Sequence, residues 1–169
     1  MIKTIRNVIV KGMYESTGLT TVMTDSNHKK PSYPFYSYKF TTLRQNSGET
    51  GSLYDVVVDS TSKEFDKDIL RVLAYQPAAI ISFNAYSDDL LECQESILKA
   101  WEWFKLKGNQ ELDNNNLVVI DMTDIQDRTV FLGEEYEYRQ GFDVRVRFLH
   151  TFDNRLETIE EAKMKGEIK

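Results

Sequence analysis

Residues Arg139–Leu149 read Arg-Gln-Gly-Phe-Asp-Val-Arg-Val-Arg-Phe-Leu, and from Phe142 onward apolar and polar side chains alternate strictly. In an extended strand that period places Phe142, Val144, Val146 and Phe148 on one face and Asp143, Arg145 and Arg147 on the other. Burying the four apolar side chains contributes roughly 6–12 kcal/mol gross, before chain entropy is subtracted. A register slip of one residue would carry three charges into the core, so the pairing of this strand is tightly specified. Upstream, Arg128–Leu132 is another strand-like run, followed by Glu134–Arg139. Gly141 stands between the two runs and is expected to supply a turn or bulge without a Cβ. The pair reads as an antiparallel hairpin with one wet face.

The remaining pattern is mixed. Ile2, Ile5, Val8, Ile9 and Met13 recur near one helical stripe, predicting an N-terminal helix that ends before Gly18 and packs on the sheet. It lacks the Trp or Phe anchors of a membrane-surface helix. Residues 20–34 and 44–52 are polar loops. Strands are expected at about 35–43 and 53–59, and in two segments, 68–75 and 78–86, separated by Pro77, which bars a helix through the join. The longest helix is expected over about 87–107, with Ser87 as N-cap, Asp88 and Asp89 at its positive end and Gly108 at its stop. Its expected buried stripe is Leu90, Ile97, Trp101 and Phe104, widened by Leu91 and Leu98. Leu117–Ile120 reads as a strand buried on nearly both faces. The tail, 154–169, gives conflicting signals: Asn154 and Glu157 resemble a capping box, yet no apolar stripe follows.

These elements predict an α+β fold, a mostly antiparallel sheet with an N-terminal helix and one long helix packed on it. A chain of 169 residues with 41% hydrophobic and 12% aromatic content is expected to bury one core as a single domain, 1–169. Lys plus Arg number 21 against 27 for Asp plus Glu, a net charge of −6. That balance opposes DNA wrapping, which needs a dense basic patch, but suits DNA sliding past an acidic wall. The single cysteine, Cys93, excludes an internal disulfide and reads as a small core residue. No apolar run reaches the ~20 residues of a membrane span, and the charged start has no cleavage site. A reducing cytoplasm is the expected setting.

Reactive patterns are missing from the sequence. His28 and His150 have no metal-ligand spacing, no serine sits in a nucleophile elbow, and no phosphate-cradling glycine loop occurs. Glu134, Glu135 and Glu137 are of the type that supplies paired carboxylates for acid–base work or a magnesium site, but on a strand interleaved with Tyr136 and Tyr138 they read as a solvated face. Asp121, Asp124 and Asp127 lack the glycine turn and distant Glu of a cation loop. No catalytic residue, cofactor or metal is assigned. Trp101 is expected in the core and Trp103 half-exposed, where it suits a partner contact. Arg128, Glu135, Arg139, Asp143, Arg145 and Arg147 are read either as surface ion pairs worth at most about 1 kcal/mol each or as a subunit interface.

Three separated blocks, Pro31–Thr42 (PSYPFYSYKFTT), Ser82–Asp89 (SFNAYSDD) and Arg128–Phe148 (RTVFLGEEYEYRQGFDVRVRF), together resemble the bacteriophage neck or tail-terminator family. The resemblance implies a virion structural protein, assembled in the bacterial host cytoplasm, that forms a ring, commonly of six subunits. Such a ring caps the head-proximal end of the tail tube, stops its polymerisation and joins it to the head connector, with genomic DNA crossing the lumen. It implies a closing strand near the C-terminus, and no enzymatic turnover or membrane contact. The 20–34 and 44–52 loops would then serve as arms. Competing readings are another neck component (head-completion or connector protein), a tail-tube protein, or a ligand-binding or enzymatic α+β domain.

Overall fold

The computed structural model describes residues 1–27, 29–46, 48, 50–63 and 66–157. The fold is α+β, as expected. Its contacts group the chain into two compact units, 1–47 with 76–149, and 48–75 with 150–169.

The larger unit is built on a sheet of order β1 (Thr21–Met23), β2 (Phe35–Gln45), β5 (Ala78–Ser87), β9 (Tyr136–Phe148), β6 (Leu117–Met122). Strands β7 (Gln126–Asp127) and β8 (Val130–Phe131) also pair with β9. All pairings are antiparallel except β1 with β2. The register of β5 on β9 sets Ile81 opposite Val144 and Phe83 opposite Phe142, so the alternation in β9 buries the four side chains expected of it. The helices cover that face: α1 (Ile2–Thr17), α2 (Leu90–Glu102), a π-helical turn (Trp103–Lys107) and α3 (Asn109–Asp113). Gly18, at φ 74, ends α1 in the left-handed region and donates its amide to the Tyr14 carbonyl.

Several local expectations are corrected. Gly141 is not at a turn; β9 runs through it, and the hairpin closes at Gly133 (φ 96), where the Leu132 amide donates to the Glu135 carbonyl. The helix start shifts from Ser87, which ends β5, to Asp89, whose side chain accepts the Glu92 amide at 2.8 Å. Ser87 still serves the entry, accepting the Asp89 amide and donating to the Glu92 carboxylate. The buried stripe of α2 is Cys93, Ser96, Ile97 and Ala100, continued by Trp103 and Phe104. Leu90, Leu91 and Leu98 are exposed. Small residues let the helix sit close to the sheet, and the helix rolls so that they, rather than the leucines, face it. Strand β6 is an edge strand on which only Leu117 is buried, not a strand covered on both faces.

The smaller unit is a three-stranded antiparallel sheet of order β10 (His150–Glu157), β4 (Lys67–Tyr75), β3 (Ser52–Asp59). Arg71 forks onto Asp55 with two hydrogen bonds of 2.9 Å. Arg155 reaches the buried Asp68 at 2.8 Å, and that bond holds the Asp68 carboxyl below its ordinary pKa. At one end the Tyr75 hydroxyl and His150 Nδ1 are 2.7 Å apart, and both rings meet Phe152. Strand β10 begins the tail that the sequence left unassigned; 158–169 lie outside the described residues. Ser52, the last residue of the expected 44–52 loop, begins β3, and within 20–34 the strand β1 pairs with β2 while Asp25 pairs with Lys39 at 2.5 Å.

Candidate functional site

In the larger unit, the sheet face away from the helices carries Lys39 and Ser37 from β2, Ile80, Ser82, Asn84 and Tyr86 from β5, and Arg139, Asp143, Arg145 and Arg147 from β9. Three groupings on it have different characters.

The first is a tie around Arg128. Its Nη1 donates to Ser82 Oγ at 2.7 Å and Asn84 Oδ1 at 2.9 Å, and its Nη2 donates to Asp143 Oδ1 at 3.1 Å. Gly141 makes this possible: a Cβ there would stand 2.2 Å from Asn84 Oδ1 and 2.9 Å from the guanidinium. The bare backbone, expected for a turn, is required by the arginine lying over it. Arg128 and Asp143, two of the residues singled out from sequence, therefore meet each other within one subunit.

The second gathers on Glu137, which is 8% exposed. It accepts from Lys30, from the Tyr33 hydroxyl at 2.6 Å and from Arg139 Nη2 at 3.3 Å. Burial opposes its ionisation, but those three donors outweigh burial and hold its pKa below the ordinary glutamate value. The Arg139 guanidinium lies 4.7 Å from the Tyr86 ring, which stacks on Phe35 at 4.7 Å. A cavity of about 280 Å³ opens beside this cluster, lined by Val22, Met23, Lys30, Phe35, Tyr86 and Glu137 among others. The sequence reading missed Glu137, treating it as solvated like Glu134 and Glu135. Its signal was parity: Glu137 lies on the same strand face as Arg139 and Asp143.

The third grouping is unpaired. Arg145 and Arg147 are half-buried on the sheet face and make no ion pair among the described residues. Arg145 Nε is buried without a hydrogen-bond partner. Beside them a second cavity of about 260 Å³ is lined by Gln76, Asp113, Asn116, Val118 and Arg147, with Phe148 and Leu149 at its edge. At the far end of β9, the β8–β9 hairpin holds Glu134 and Glu135 in the open, with Phe131 56%, Leu132 63% and Tyr136 59% exposed.

Trp103 corrects the expectation of a half-exposed partner contact. It is buried, its indole filling a slot between Gly12 of α1 and Gly108, where any Cβ would come within 2.5 Å of the ring. Trp101, expected in the core, is the half-buried one, with Lys105 Nζ 5.7 Å from its ring. Cys93 is buried against the Ala85 and Tyr138 carbonyls, and burial pushes its thiol up to about 11, away from nucleophilic use at neutral pH. Asp121 and Asp127 accept neighbouring backbone amides, and no cluster of three metal-ligating side chains forms among the described residues. No helix among them is long and apolar enough to cross a membrane. What the arrangement offers chemically is unpaired charge and exposed apolar surface at two separated places.

A protein-family profile described as phage neck terminator protein matches residues 1–169, the whole chain, extending the resemblance seen over Pro31–Leu149 to both ends. No curated protein matches the chain.

Proposed function

Because this chain belongs to the phage neck terminator proteins, we propose that it assembles into a ring, with six copies as the arrangement, at the head-proximal end of the phage tail tube. The family places it among the structural proteins of the virion neck, in contact with other neck and tail proteins. The ring stops tube polymerisation, offers its other surface to the head connector and lets genomic DNA pass through its lumen. Its action is assembly rather than turnover, and it is made in the host cytoplasm. The whole-chain family match carries this reading.

Physical chemistry supports it. Head-to-tail contacts close into a ring when two different surfaces of one subunit face each other across a fixed rotation. A net charge of −6 leaves passing phosphate unbound. In a phage lacking this protein, electron microscopy of the lysate is expected to show unjoined heads and tails, with tubes of abnormal length. Normal virions from that mutant would overturn the terminator role.

A further inference from the structure

Strand β9 separates two surfaces of opposite character. At its start, the hairpin tip presents Glu134 and Glu135 between exposed Phe131, Leu132 and Tyr136. Ten to thirteen residues later Arg145 and Arg147 present guanidiniums on the sheet face away from the helices, next to a cavity lined by Gln76, Asp113, Asn116, Val118 and Arg147 among others. At ~3.3 Å per residue the two lie roughly 35–40 Å apart, too far to meet within one chain.

We infer that the β8–β9 hairpin of one copy docks on the Arg145/Arg147 face of the next copy. Charge complementarity selects this occupant. The hairpin glutamates make no ion pair among the described residues, and the two arginines make none either. Other charges on this face are engaged: Asp143 by Arg128, and Glu137 by Lys30 and Arg139. Asp121 lies across from Arg145 in the sheet register, but it accepts the Met122 amide and forms no ion pair among the described residues. A guanidinium–carboxylate contact from a neighbour engages the Arg145 and Arg147 side chains while the apolar side chains of the tip cover exposed Val118. Since the two surfaces differ and sit at opposite ends of one strand, the contact is head-to-tail, as ring closure requires. This pairing rests on the ring reading and specifies which surfaces make it.

The test uses the full chain and reads assembled mass by analytical ultracentrifugation and native mass spectrometry, with circular dichroism to verify folding. Glu134→Lys with Glu135→Lys, and separately Arg145→Glu with Arg147→Glu, are each expected to raise the concentration for half-assembly by roughly tenfold or more. Combining all four changes, or mixing the two variants, is expected to recover assembly because the charges again match. Independently, in an Arg147→Lys chain, which keeps the charge, carbodiimide is expected to couple position 147 to Glu134 or Glu135 of another copy. A wild-type chain that stays monomeric at every concentration, even on tail tubes, overturns the ring and the pairing together. Assembly that survives both double variants, or a crosslink map without that link, overturns the pairing and leaves the ring standing. Loss of assembly that charge-swapping does not recover also overturns it.

Discussion

Gly12 sits in the middle of α1, where glycine ordinarily costs ~1 kcal/mol relative to alanine. The structure gives the reason: a Cβ there would stand 2.2 Å from the Trp103 ring. Gly12→Ala is therefore expected to destabilise the fold by about 1–3 kcal/mol through overpacking, despite the gain in helix propensity. Thermal unfolding measures it; an unchanged or raised midpoint would mean that the indole moves aside. A glycine interrupting an amphipathic stripe was the legible sign that a large side chain packs there, and counting apolar residues alone overlooked it. Glu137 makes a prediction in pH. Its folded-state pKa lies below the ordinary value of 4.5, so the unfolded chain binds the proton more readily. The carboxylate's stabilisation is then present above the ordinary value and is lost as pH falls through the depressed folded value. Urea titrations at stepped acidic pH are expected to show a smaller acid-side loss in Glu137→Gln than in the wild type. Parallel slopes would remove Glu137 from the acid response.

At the scale of elements, β9 was the most legible part of the chain. Period-two alternation fixes a strand and its buried face together, and the structure keeps both. Helix α2 was legible in existence but not in orientation. The sequence reading weighted leucines, whereas close packing on the sheet favours Cys93, Ser96 and Ala100, whose small size carries little hydrophobic signal. Its start was displaced because Ser87, Asp88 and Asp89 are all competent caps and only the exit of β5 decides among them. Asp89→Ala is expected to lower stability by ~1 kcal/mol, while Asp89→Asn keeps most of it. Denaturant unfolding of the two variants checks this; equal losses would mean that charge at the helix end, rather than the cap hydrogen bond, is responsible. Of the arginine constellation, the residues were identifiable from their common strand, but their division was not. Arg128 and Arg139 are held within the subunit, and Arg145 and Arg147 are left open. That division depends on partners from β5, on Asp143 and Glu137 of β9 itself and on Lys30 and Tyr33, of which only the two-residue spacing of Glu137 and Arg139 is local.

For the whole molecule, the family was readable from three separated blocks, whereas the grouping of contacts into two units was not. Strands β3, β4 and β10 have ordinary strand patterns, and nothing local says that they join each other rather than the larger sheet. The pairing of Tyr75 with His150 spans 75 residues of chain. That separation has a consequence during synthesis. At 5–20 residues per second, about 4–16 s pass between the emergence of β4 and that of β10 from the ribosome. Throughout that interval the nascent hairpin of β3 and β4 exposes one raw edge rich in Ile69, Leu70, Val72 and Leu73. Lys67, Asp68 and Arg71 interrupt that apolar edge with charge, the kind of residue by which sheet edges resist pairing with another chain.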